Sequence, residues 1–143
     1  MRQFAGCLVV VFGVVGCLGS AEAPDGTAAL RSAERLAWLR NWPAARPFYA
    51  EAERQFRAAG DRRDALFARI SLIRADSDAA PYLETSQYLD SLLDDPLVQS
   101  DLALHLRCLV VKGDFDMELD TDRARRDWTE ARRLPRSSAK RRG

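Results

Sequence analysis

The sequence predicts an all-α protein: three stacked antiparallel helical hairpins behind an N-terminal export segment. Three observations carry this reading. Apolar residues recur at helical spacing from Ala28 onward, and no run alternates with period 2 in Val, Ile and Thr as a half-buried strand would. Breaks rich in Pro, Gly, Asn and Asp divide the pattern into six segments joined in pairs. An Ala-Arg-x-x-aromatic-x-Glu-Ala stretch occurs twice, as ARPFYAEA at 45–52 and ARRDWTEA at 124–131.

The first predicted helix covers 28–40 and ends at Asn41-Trp42-Pro43, because Pro43 cannot continue a helix but fits the first turn of the next. The second covers 44–59 and stops at Gly60-Asp61, where Gly accepts the left-handed conformation of a helix end. The third, 62–75, carries Leu66, Phe67, Ile70 and Ile73, and the fourth, 82–93, ends at Asp94-Asp95-Pro96. The fifth is expected over 99–112, capped by Ser100 or Asp101 and stopped by Gly113-Asp114. The sixth, 122–134, follows an acidic turn and ends at Pro135.

Ahead of these helices, 1–23 has one early charge, Arg2, an apolar run at 8–15 and then small residues, which is the form of a removable export signal. Eight apolar residues are too few to span a bilayer, which takes roughly 20. Two processing sites stay open. Ala21-Glu22-Ala23 suits cleavage after 23, while Val14-Val15-Gly16-Cys17 resembles a lipobox that would acylate Cys17 and anchor the chain to a membrane. Residues 24–27 read as a linker, and 135–143 as a basic tail expected to be disordered. Cys108 is then the only cysteine of the folded part, so no disulfide framework is expected and the core alone holds the fold.

The repeated stretch has a packing logic. Positions 45, 49 and 52 share one helix face, as do 124, 128 and 131. Small Ala45 and Ala52 let a partner helix approach while Tyr49 fills the space between them, and Ala124, Trp128 and Ala131 repeat the arrangement. Helix–turn–helix recurring with a period of about 40 is the pattern of a helical-hairpin array.

These residues resemble the tetratricopeptide repeat family, whose unit has a small residue in its first helix and a small-aromatic-small set in its second. In the first hairpin Ala33, Leu36, Trp42, Ala45, Tyr49 and Ala52 match, and in the third Cys108, Val111, Ala124, Trp128 and Ala131. The middle hairpin offers only Ala68. More faintly, RQFRAAGDRRDALFARI with LRCLVVKGD is similar to the N-terminal repeat region of bacterial CHAT-domain proteins, which implies a truncated sensor or regulatory head of a larger caspase-like protein. No residue of this chain corresponds to that domain's catalytic pair.

The tetratricopeptide resemblance implies a concave groove lined by first helices, with Arg31, Glu34, Trp38, Arg69, His105 and Lys112 turned inward. Arg and Lys beside an aromatic suit a peptide bearing carboxylates. The partner expected is therefore a protein or peptide. With 22 basic against 21 acidic residues there is no overall field to gather nucleic acid. A Gly-rich phosphate loop and metal-ligand spacing are both missing, so neither cofactor, metal nor small-molecule substrate is expected. Cys108 with His105 lacks an orienting third group, and the chain is not expected to be an enzyme.

Overall fold

The computed structural model describes residues 26–134, which form seven α-helices and no strand among the described residues. The export segment with Cys17 and the basic tail at 135–143 lie outside the described residues. In chain order the helices are α1 (Gly26–Trp38), α2 (Trp42–Ala58), α3 (Arg62–Ala75), α4 (Tyr82–Leu93), α5 (Pro96–Ser100), α6 (Leu102–Asp116) and α7 (Thr121–Arg133).

Local chemistry sets most of the boundaries. Asn41 accepts a hydrogen bond from the Ala44 N–H at 3.3 Å to start α2, and Asp61 accepts from the Asp64 N–H at 3.0 Å to start α3. Helices α1 and α2 end alike. The N–H of Asn41 reaches back to the Leu36 carbonyl and that of Asp61 to the Phe56 carbonyl, each across one residue at positive φ. At the second turn that residue is Gly60 (φ 75), at the first it is Arg40 (φ 59), where a side chain makes the same conformation costlier by about 1–2 kcal/mol.

The helix expected over 99–112 is two helices, and the expected stop at Gly113-Asp114 is no stop. Asp95 accepts from the Leu97 N–H at 2.8 Å and starts α5 with Pro96 in its first turn. Asp101, in extended conformation, ends α5 and caps α6 through the N–H groups of Ala103 and Leu104, both at 2.9 Å. α6 then runs through Gly113 to Asp116, and Gly113 is where the Trp128 ring of α7 lies against the helix backbone. A Cβ at Gly113 would stand 2.3 Å from the indole Nε1. The missing side chain is the space the ring occupies.

α1 packs on α2 and α2 on α3, while α6 packs on α7, α4 and α3. The ion pairs Arg63–Asp101 (3.0 Å) and Arg74–Asp114 (2.7 Å) sit at corresponding ends of α3 and α6, so these two helices run side by side in the same direction. The expected middle hairpin is open: the backbones of α3 and α4 are not closely packed along their lengths, and the two helices meet through side chains of one cluster. Ile70 of α3, Leu89 of α4, Val98 of α5 and Leu104, Cys108, Val111 and Phe115 of α6 form one buried cluster. A second joins Ala33 and Ala37 to Ala45 and Tyr49, and a third joins Ala52 and Phe56 to Ala65 and Ala68. This is why the middle segment lacks the small-aromatic-small set. Its second helix packs on α6 rather than closely on α3.

Ala33, Ala45, Tyr49, Ala52, Ala68, Cys108, Val111 and Ala124 are all fully buried. Leu36 and Trp42 pack as partly buried members of the α1–α2 cluster. The two copies of the repeated stretch part company at the aromatic: Tyr49 is sealed, whereas Trp128 and Ala131 are only half-buried. α3 packs on α2, but among the described residues α7 packs closely only on α6.

Candidate functional site

The six residues expected to line one groove are divided among different faces. Glu34 of α1 accepts from the Tyr49 hydroxyl at 2.6 Å and from the Arg107 guanidinium of α6 at 2.9 Å. Arg107 in turn lies 4.6 Å above the Phe67 ring of α3. Thus α1, α3 and α6 are tied together across the face where a peptide was expected. Burial, then the bond to Glu34, pushes the Tyr49 hydroxyl well above its ordinary pKa. Arg31 and Trp38 stand exposed on α1, outside this chain of contacts.

Arg69 is turned to the opposite side. It lines a hollow of about 290 Å³ with Arg57, Arg62 and Tyr88, and faces Glu53 at 3.8 Å. His105 points between α4 and α7, 3.8 Å from Glu130.

Lys112 shares that face and is the largest departure from expectation, being buried at 4% exposure rather than lining a groove. Its ammonium donates to Asp116 at 2.6 Å and Asp127 at 3.0 Å, with Asp90 at 3.3 Å. Ser86 donates to the other oxygen of Asp116 at 2.5 Å, and Arg123 pairs with Asp90. One lysine therefore locks α4, α6 and α7 together. Burial works against its charge, but the Asp116 and Asp127 bonds prevail and raise its pKa. Such a cluster specifies geometry more than it adds stability, since each charge was first desolvated.

Cys108 and His105 do not form a nucleophilic pair. The Cys108 thiol is fully buried, donates to the Leu89 carbonyl at 3.4 Å and is pushed up to about 12 by burial. No group of His, Cys, Asp and Glu among the described residues is placed to hold a metal ion.

The surface with room for a ligand lies between α6 and α7. Leu102, Ala103, Leu106 and Val110 form one stripe along α6, and Trp128, Ala131 and Leu134 form another along α7. Together with Arg63, Ser100, Asp101 and Arg132 they line an open trough of about 990 Å³. Leu106 is 41% exposed at its centre. The polar rim is ordered at one end, where Asp101 and Asp64 hold Arg63 and push its pKa up. Arg132, at the other, has no ion-pair partner among the described residues.

Arg107 and Gly113 are the residues that sequence reasoning missed. A signal existed for the first: if Cys108 and Val111 are buried, then 103, 106, 107, 110 and 114 share one flank of α6 and 105, 109, 112 and 116 the other. That phase places Arg107 toward α3 and removes His105 and Lys112 from its side. No comparable signal links Gly113 to Trp128.

Fold and site together define an all-α protein, with seven helices among the described residues and an apolar trough at one end. Compared with known proteins, the chain matches no family model, no curated protein and no solved structure. Among the described residues no helix is long and apolar enough to cross a membrane.

Proposed function

We propose that the protein is a helical-repeat interaction module, tetratricopeptide-like in build, that takes a partner's amphipathic helix or peptide into the trough between α6 and α7. One observation carries the reading: two apolar stripes on neighbouring helices face one open trough, and Trp128 at its floor is half-exposed where its counterpart Tyr49 is sealed. A helix laid there would cover Trp128 much as the fold around α2 covers Tyr49. Partners of this kind present anchors at i, i+3, i+4 and i+7. An acid flanking the partner's apolar face would meet Arg132. The same reading makes the protein an exported module, held at a membrane where Cys17 is acylated.

A library of helical peptides screened against the full chain tests the proposal. Binders should carry an apolar stripe, and Leu106→Glu should weaken them by about 30-fold or more, the loss of a central anchor worth roughly 2 kcal/mol. Phe48→Glu is the matched control, since Phe48 is equally exposed (41%) but sits on α2. Binders indifferent to Leu106→Glu would remove the trough from the account.

A further inference from the structure

The outer face of α1 carries a feature that the trough does not use. Trp38 is 87% exposed and Leu39 65%, the two most exposed large apolar side chains among the described residues. Trp38 follows Arg31 and Arg35 on one stripe of α1, at i, i+4 and i+7, and Leu39 comes next, in the turn. Neither arginine has an ion-pair partner among the described residues. The one acid of α1, Glu34, is engaged with Tyr49 and Arg107. Arg40, at positive φ in the turn beyond, is not part of the stripe, since its charge acts on Asp114 of α6.

We infer that this stripe is a contact for an anionic lipid surface, with Trp38 and Leu39 entering the interfacial layer and Arg31 and Arg35 against lipid phosphates. The shape argues for lipid over protein. The two apolar side chains stand exposed at the helix end and line none of the hollows described above. A lipid surface asks for no complementary shape, only apolar side chains at its boundary flanked by cations. Tryptophan and arginine both suit that boundary, each with an apolar body and a polar end. Chain order agrees, because α1 directly follows the segment that holds the apolar run at 8–15 and Cys17. An export segment or acyl chain in the bilayer would bring this helix, before any other, to its surface.

The test uses the full chain with vesicles of phosphatidylglycerol and phosphatidylethanolamine whose acyl chains are brominated. The chain has three tryptophans, so Trp38 is read as the difference between the native protein and Trp38→Phe, a change at an exposed site that leaves the core intact. Native emission should shift to the blue and be quenched by the brominated chains, and Trp38→Phe should lose most of that quenching. Arg31→Gln with Arg35→Gln should lower vesicle partitioning by roughly fivefold per arginine, about 25-fold for the pair. Quenching that persists undiminished in Trp38→Phe would place Trp42 or Trp128, not Trp38, at the bilayer and overturn the proposal. Trp38 left open to acrylamide at saturating vesicles would also overturn it, and leave the stripe to a protein partner.

Discussion

Replacing Gly113 with Ala should destabilise the protein, against the usual effect of that change within a helix. Gly113 lies inside α6, where Ala is favoured by about 1 kcal/mol. The new methyl, however, would meet Trp128 at 2.3, 2.6 and 3.0 Å, all shorter than ordinary contact. The ring cannot give by a few tenths of an ångström and stay in place. Overpacking of this kind costs about 1–3 kcal/mol, and swinging the indole out forfeits part of the 3–5 kcal/mol that a buried aromatic contributes. The net loss should be about 1–2 kcal/mol, a fall in Tm of roughly 5–10 °C for a domain of this size. A double-mutant cycle read by urea unfolding makes the sign decisive. Trp128→Ala alone should cost a few kcal/mol, and with the ring gone Gly113→Ala should become stabilising by about 1 kcal/mol. If Gly113→Ala raises Tm in the native background, the ring does not rest on this glycine and the α6–α7 packing is wrong.

Two further changes probe the charged groups. Lys112→Met should cost about 3–5 kcal/mol at neutral pH, because it leaves Asp90, Asp116 and Asp127 opposed only by Arg123. Without the ammonium, burial should push the Asp116 and Asp127 carboxyls above their unfolded values. The deficit should therefore be largest above the carboxylate range and shrink as pH falls through it, as urea unfolding at pH 7 and pH 4.5 would show. A deficit independent of pH would mean that the lost packing of the lysine stem dominates. Asp101→Asn keeps an acceptor for the first turn of α6 but removes the charge facing Arg63. The bond to Arg63, then the Leu104 N–H, hold the Asp101 carboxyl below its ordinary pKa. Its contribution is thus present above the unfolded value and is lost as pH falls below it. The variant should be weaker by about 1 kcal/mol at pH 7, and the difference should shrink as pH falls through the depressed Asp101 titration.

The helices were legible where local chemistry decides them. Asp61 and the Ala75–Asp76 junction bound α3 as expected, and Pro81 with Asp94-Asp95-Pro96 bounds α4. The same reasoning misled at Asp101, which was considered as a cap yet also closes a short helix before it. At Gly113 it took a tertiary contact for a local stop. A glycine before an aspartate looks like a helix end, and only the position of Trp128, fifteen residues on, reveals a close approach. Of the repeated stretch, Ala45, Tyr49, Ala52 and Ala124 are buried, as spacing within one helix suggests, while Trp128 and Ala131 are only half-buried, because that depends on what covers α7.

The candidate groove was far less legible. Side chains such as Arg31, Arg69, His105 and Lys112 look alike on a helical pattern, and a shift of one position turns them from one neighbour to another. Lys112 shows the limit most clearly. Only Asp116 stands at i+4 to it, while Asp90 and Asp127 come from helices whose packing the sequence does not state. The trough depends in the same way on α6 and α7 lying side by side. Leu106, Val110 and Ala131 are unremarkable until both helices are placed, and then they define the open apolar face.

The account rests on that trough receiving a helix, and photo-crosslinking tests it most directly. A photoreactive phenylalanine analogue placed at position 106 of the full chain, and separately at position 48, would be irradiated with a trough-binding helical peptide from the library screen. Position 106 should form an adduct that maps to the apolar stripe of the peptide, and position 48 should form none. Equal labelling from both positions, or labelling from 48 alone, would contradict the placement of the partner and with it the proposed function.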